Sequence, residues 1–278
     1  MTGINVTLQA VRNAITELGL AGRALCVHSS LRSFGWVEGG AGAVIDGLLA
    51  EGCTVLVPSF TSEFETAPPA DRRYPRNGCV YVTDVASSRR CDAVYSIDSG
   101  AIDRDLGAIP ASVVADPRRE RGNHPLNSFA AIGPLAGELV GGQAPLDVYA
   151  PLRAVAERDG WVLLMGIDLT SMTLIHLAEA MAGRTLFRRW ANGPENTVIE
   201  CEIGSCSEGF ERLQPALVPA MRCVEVGSSL WRAYPARLVL EIASEAIRRD
   251  STITHCPDLN CLRCRDIIQG GPIIEVAP

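Results

Sequence analysis

The sequence predicts an α/β fold, a mixed sheet flanked by helices on both faces, and three observations carry that expectation. Apolar runs of strand length alternate with stretches of helical periodicity along much of the chain. The order strand, helix, strand over residues 23–60 implies a parallel pair with a covering helix. Finally, 278 residues with 47% hydrophobic content can bury one large core or two coupled ones.

Residues 7–19 place Leu8, Val11, Ile15 and Leu18 at helical spacing and close on Gly19, so an amphipathic helix opens the fold. RALCVH at 23–28 is an apolar run of strand length. The loop SSLRSFGWVEGG then leads into a helix over roughly 41–50, and CTVLVPSF at 53–60 reads as the next strand. From 61 to 122 the pattern dissolves through TSEFETAPPADRRYPRNG, the basic pair Arg89-Arg90 and DPRRERGN. An irregular stretch of that length inside a domain is commonly a lid or substrate loop.

Regularity returns at 129, with an Ala/Leu-rich helix near 134–141 and another near 151–159. The strand WVLLMGI (161–167) follows, and the mostly apolar helix SMTLIHLAEAMAGR (171–184) comes directly after it. Beyond 185, TVIECEIGSC reads as strand and 236–250 as a strong helix with Pro235 at its start. There is no internal repeat and no sharp change of composition. The expected organisation is a single domain over 1–278, with an irregular substrate or lid region at about 61–122 and a cysteine-containing tail at 251–278.

The formal charge of -7 argues against a nucleic-acid partner and suits a cationic small molecule. No window approaches the ~18 apolar residues of a membrane span, and the first residues lack the basic and apolar regions of a signal peptide, so no membrane partner and a cytoplasmic location are expected. All 25 basic residues are arginine. Without lysine, P-loop, pyridoxal and protein-kinase chemistry all fail, and coenzyme phosphates would have to be held by arginine, hydroxyls and backbone N–H groups. The sequence does not determine an oligomeric state.

Three segments can carry chemistry. The loop His28–Gly40, at the C-terminal end of a predicted strand and before a helix, offers serines, an arginine and backbone donors to a pyrophosphate; an ordinary glycine-rich connection is the alternative. The segment NHPLNSFAAIG (123–133) reads on its own as a turn rigidified by Pro125, with Ser128 able to cap a helix. In the third, helical spacing puts Thr173, His176 and Glu179 on one narrow polar stripe. A histidine beside a glutamate is an apt general base for an amine, and a satisfied core histidine is the competing reading.

Ten cysteines are scattered mostly singly among apolar runs, as reduced buried thiols are. The tail HCPDLNCLRC is the exception. Cys256, Cys261 and Cys264 with His255 could close a tetrahedral zinc site, but only one true Cys-x-x-Cys pair exists and adjacent residues such as His255 and Cys256 rarely ligate together, so a reduced, buried cysteine cluster is favoured over zinc.

Taken in order, VHSSLRSFG, the Gly-Gly helix, the strand ending Pro-Ser-Phe-Thr, HPLNSFAAIG and VLLMGIDLTSMTLIHLAE resemble the aminoglycoside 3-N-acetyltransferases, or antibiotic N-acetyltransferase family, nearest its apramycin-type branch. The resemblance implies that family's own α/β fold, distinct from the GNAT acetyltransferases. It also implies transfer of acetyl from acetyl-CoA to a primary amine of an aminoglycoside antibiotic, at the 3-N position, conferring resistance. On this reading His176 and Glu179 are catalytic. His28, Ser29, Ser30, Leu31, Arg32, Ser33, Phe34 and Gly35, with Ser128, Phe129 and Thr173, hold the coenzyme. Glu63, Glu65, Asp147, Tyr149 and Glu202 receive the cationic amine. Cys26 stays open as a nucleophile. A family His-Pro-Leu-Asp segment reads Ala144-Pro-Leu-Asp147 here, and Gly204 falls where a second acceptor carboxylate would be. The alternatives are a biosynthetic acyltransferase acting on another amine, or a catalytically weakened coenzyme-binding homologue.

Overall fold

The computed structural model describes residues 5–81 and 92–274, so the pair Arg89-Arg90 lies outside it. Strand β1 (Asn5–Val6) leads into helix α1 (Leu8–Leu18). Thr7 caps this helix by accepting from the Ala10 N–H, and Gly19 closes it in the left-handed region at φ 67°. Then come β2 (Ala24–Ser29), β3 (Trp36–Val37), α2 (Gly40–Ala50), β4 (Thr54–Pro58) and β5 (Glu65–Thr66). The middle of the chain forms α3 (Ala108–Ala115), β6 (Glu120–Arg121), β7 (Phe129–Ile132), α4 (Ala136–Val140), α5 (Ala150–Glu157) and β8 (Trp161–Met165). The remainder forms α6 (Leu174–Met181), β9 (Phe187–Asn192), β10 (Val198–Ile203), α7 (Gln214–Leu217), β11 (Arg222–Val226), β12 (Ser229–Pro235), α8 (Ala236–Arg249) and α9 (Leu262–Ile268).

The main sheet has seven strands in the order β11-β12-β8-β2-β4-β7-β6. Its centre, β8-β2-β4, is parallel, and β12 and β7 pair antiparallel on either side. Strands β4 and β8 are buried along their whole length and β2 over all but its last residue, which is why they read as continuous apolar runs. One face packs α1, α2 and α3 through residues such as Val11, Ile15, Val44, Leu48 and Val113; the other packs α4, α5, α6 and α8. Each fully buried Leu, Ile or Val contributes roughly 1.5–3 kcal/mol, so both layers are held mainly by burial. A second, three-stranded antiparallel sheet, β10-β9-β5, stands beside the first.

The mixed sheet agrees with expectation, while several elements differ in extent. The region 61–122 is irregular for most of its described length but contains α3, whose sequence AIPASVVA is apolar without periodicity and carries proline in its first turn. Strand β7, FAAI, is alanine-rich and gave no strand signal. Strand β9, FRRWAN, holds Arg188 in the interior, paired to Glu200 and Glu202 at 3.1 and 2.8 Å, so its charges conceal a buried strand.

Arg121 shows what fixes the irregular region. Its buried guanidinium donates to the carbonyls of Ser59, Ser99 and Ala101 and to the Ser128 hydroxyl, at 2.5 to 3.0 Å. Through those four bonds the 99–101 backbone is tied to the end of β4.

Candidate active site

The parallel strands β2, β4 and β8 all end on one side of the sheet, where open α/β folds bind ligands. After β8 the chain turns at Gly166, which sits at φ 68° with the Ser33 hydroxyl so close that a Cβ would overlap it. Asp168 then accepts from the Thr170 N–H at 3.0 Å, and α6 begins at Leu174.

One turn apart on α6, His176 Nδ1 lies 2.8 Å from Glu179 Oε2. The Ser205 hydroxyl donates to the same oxygen at 2.7 Å, and Arg184 donates to Oε1 at 2.5 Å. Glu179 is 0% exposed. Burial by itself would raise its carboxyl pKa, but His176, Arg184 and Ser205 together hold it below the ordinary value, and it is anionic at neutral pH. An anionic partner on Nδ1 makes that nitrogen the N–H donor, which leaves the Nε2 lone pair free on a ring that lines a hollow. Tyr149 stacks on the ring at 6.1 Å and 11°, and Phe210 meets it edge-on at 4.8 Å. Gly204 closes the remaining side; a Cβ there would lie 2.5 Å from the Tyr149 hydroxyl and 2.6 Å from His176 Cδ2.

The hollow has a volume of about 600 Å³ and is lined by Thr173, His176, Tyr149, Asn127, Asp105 and Glu208 among others. A groove of about 1010 Å³ adjoins it, lined by His28, Ser29, Ser30, Leu31, Arg32, Gly35, Trp36, Arg104 and the Gly39–Gly40 start of α2. Pro58, Asp105, Leu106 and Ser171 line both, so the two meet at the ends of β4 and β8.

Of the residues expected to hold the coenzyme, His28 to Arg32 and Gly35 line the groove, and the Ser29 hydroxyl is buried there without a hydrogen-bond partner among the described residues. Ser33 instead bonds Ser229 and the Ser30 carbonyl. Phe34 is fully buried against Trp231, and Phe129 against Phe60. Ser128 is fully buried between Ser59 and Arg121. Those three side chains are packing and hydrogen-bonding parts of the interior and reach neither cavity. Thr173 lines the hollow beside His176 rather than the groove.

Of the expected acceptor residues, only Tyr149 lines the hollow. Asp147 pairs with Arg153 at 2.6 Å, and Glu202 pairs with Arg188 while its burial raises its pKa. Both border a smaller pocket on the other side of Tyr149. Glu63 and Glu65 line neither cavity. The carboxylates that do face the hollow are Asp105 and Glu208, on segments whose sequences have no periodic pattern to flag them.

Ala144 sits exposed on a tight turn, bridging to Asp147, and lines neither cavity. Gly204 is occupied by its neighbours' approach and has no room for a carboxylate. Cys26 is fully buried, 3.5 Å from His28 Nε2, and burial raises its thiol to about 12, so it is protonated and sealed. The tail cysteines Cys256, Cys261 and Cys264 gather with a fourth sulfur, Cys206, all within 4.8 Å of one another. That fourth residue is distant in sequence, so the tail's own spacing could not reveal it. His255 turns aside to the Cys256 carbonyl.

The sequence model of the family described as aminoglycoside 3-N-acetyltransferase matches residues 26–248, most of the chain. The chain belongs to this family. It is 33% identical over 191 residues to aminoglycoside N(3)-acetyltransferase IX of Micromonospora chalcea, covering 65% of this chain and 64% of that one. Against a prophage-derived aminoglycoside N(3')-acetyltransferase-like protein of Bacillus subtilis it is 33% identical over 186 residues, covering 62% and 64%. The match thus spans a little under two thirds of each relative's length. The crystal structure of aminoglycoside acetyltransferase AAC(3)-IVa superposes with a TM-score of 0.76 at 25% identity over 97% of this chain and 99% of that one. This antibiotic N-acetyltransferase fold accounts for the mixed sheet and the strand-end location of the site. Among the described residues no helix is long and apolar enough to cross a membrane.

Proposed function

We propose that this family member transfers the acetyl group of acetyl-CoA to a primary amine of an aminoglycoside, at the 3-N position, and so confers resistance. The observation that carries the reading is the His176–Glu179 pair, hydrogen-bonded where an extended groove meets a hollow lined by Asp105, Glu208 and Arg263. AAC(3)-IVa, at 26% identity, has been solved as a histidine-to-alanine mutant with gentamicin. A polycation of that class suits Asp105 and Glu208 in the hollow here.

In this reading the groove from His28 to Gly35 takes the coenzyme, with Arg32, Arg104 and the start of α2 offering positive charge to its phosphates. The acetyl thioester lies at the junction near Ser171. As the neutral amine attacks the carbonyl carbon, His176 Nε2 takes its proton, and Glu179 stabilises the imidazolium that forms. The tetrahedral centre collapses with cleavage of the C–S bond, and the proton passes to the departing thiolate. Cys26 takes no part, so transfer is direct.

Thiol release from acetyl-CoA, measured with gentamicin, apramycin, paromomycin and simple diamines, tests the reading. His176→Ala should lower kcat by at least ~10²-fold, as removal of a general base does. Turnover only with non-aminoglycoside amines would assign the chemistry to another acceptor. A His176→Ala rate within a few-fold of the parent would remove the histidine from the mechanism.

A further inference from the structure

We propose that Cys206, Cys256, Cys261 and Cys264 bind one zinc ion, and that this ion clamps residues 204–208 against His176 and Glu179. Four thiol sulfurs all within 4.8 Å of one another match the needs of a tetrahedral site, where sulfurs about 2.3 Å from zinc lie about 3.8 Å apart. All four are free cysteines, so no disulfide explains their convergence. An all-sulfur set selects zinc over magnesium or calcium. Cys261-x-x-Cys264 opens α9, and the Cys256 N–H donates to Cys264 Sγ at 3.4 Å, the kind of bond that supports a metal-bound thiolate.

The fourth ligand gives the cluster its consequence. Cys206 lines the hollow and follows directly on Gly204 and Ser205, the residues that wall in His176 and bond Glu179. Between Cys261 and Cys264, Arg263 donates to the Gly204 and Ser205 carbonyls at 2.9 and 2.8 Å. The metal and Arg263 therefore fasten the same strap from the same knuckle. The metal site rests on the cysteines alone; its effect on turnover rests on the function proposed above.

The test uses the full chain purified under reducing conditions from metal-replete medium, with metal content by plasma mass spectrometry and cobalt substitution followed by charge-transfer absorption. One zinc per chain is expected, with the loss of most of it in Cys261→Ser and Cys264→Ser. Wild-type protein that stays metal-free after incubation with zinc chloride overturns the site. Because the variants can misfold, chelation of the wild type supplies the second measurement. Removing zinc should speed amide exchange across 204–208 and reduce kcat/KM for the amine at least tenfold, towards the ~10²-fold that a misplaced group costs, while leaving the Kd for CoA unchanged, and re-addition should restore both. Zinc that binds but whose removal alters neither exchange nor amine kinetics overturns the clamp. If no amine is turned over, the function fails and exchange at 204–208 still decides the clamp.

Discussion

His176 Nδ1 and Glu179 Oε2 are 2.8 Å apart, and the carboxylate that holds the imidazole has no exposure to solvent. Glu179 is also the partner of buried Arg184 at 2.5 Å, so one residue serves both the site and the interior.

Glu179→Gln should therefore show two effects. The amide cannot stabilise an imidazolium, and kcat should fall by 10- to ~10²-fold with CoA affinity intact. Arg184 would lose its buried counter-charge, a change that costs about 3–5 kcal/mol when one partner of such a pair is removed. Calorimetry should show a lower Tm that Glu179→Gln combined with Arg184→Met partly restores; an unchanged Tm in the single variant would contradict the double role.

Gly204→Ala tests the wall of the site. The added methyl must displace Tyr149 or the His176 ring, and overpacking of this kind costs about 1–3 kcal/mol. Turnover should drop at least tenfold while titration calorimetry with CoA stays as in the parent. Wild-type kinetics would mean the strap yields freely.

Stability should fall in mild acid. Burial lowers the imidazoles of His28 and His124 to about 4, from 6.5 in the unfolded chain. Folding keeps both neutral while the unfolded chain protonates, so the stabilisation is complete above pH 6.5 and is lost as pH falls towards 4, at up to about 3 kcal/mol for each group. His124 makes the loss concrete, since Nδ1 accepts from the Leu126 and Asn127 N–H groups and a proton there would break both bonds. Urea midpoints at pH 7.5, 5.5 and 4.5 should decline steadily, and a flat series would be inconsistent with neutral buried rings.

Arg32→Ala and Arg104→Ala should each weaken CoA binding by about 3- to 10-fold, the range of a partly exposed charge-assisted contact, with the amine KM unchanged. Added salt should shrink the difference between parent and variants. Equal affinities at low salt would move the phosphates elsewhere.

The parallel centre of the sheet was legible because β2, β4 and β8 are buried on both faces and announce themselves as apolar runs. The His176–Glu179 pair was legible because helical spacing relates the two within one element. What escaped depends on contacts between distant segments. Asp105 and Glu208 reach the hollow only through loops, and Cys206 meets the tail cysteines only after folding. Ser128 and Phe129 belong to the segment HPLNSFAAIG, on which the sequence resemblance partly rests, yet their side chains lie in the interior, where Ser128 accepts from Arg121, which also binds the carbonyls of Ser99 and Ala101.

Cys26 lies two residues before His28, where the groove wall begins on β2, and is capped by that histidine. A thiolate is a better nucleophile than an amine, and one open to the groove would exchange with any acyl thioester held there, stranding the acyl group on the protein. On the acetyl transfer proposed above, keeping that sulfur protonated and roofed over by a neutral imidazole would leave an incoming amine as the better acceptor at the junction, and no acyl group would be stranded on the protein.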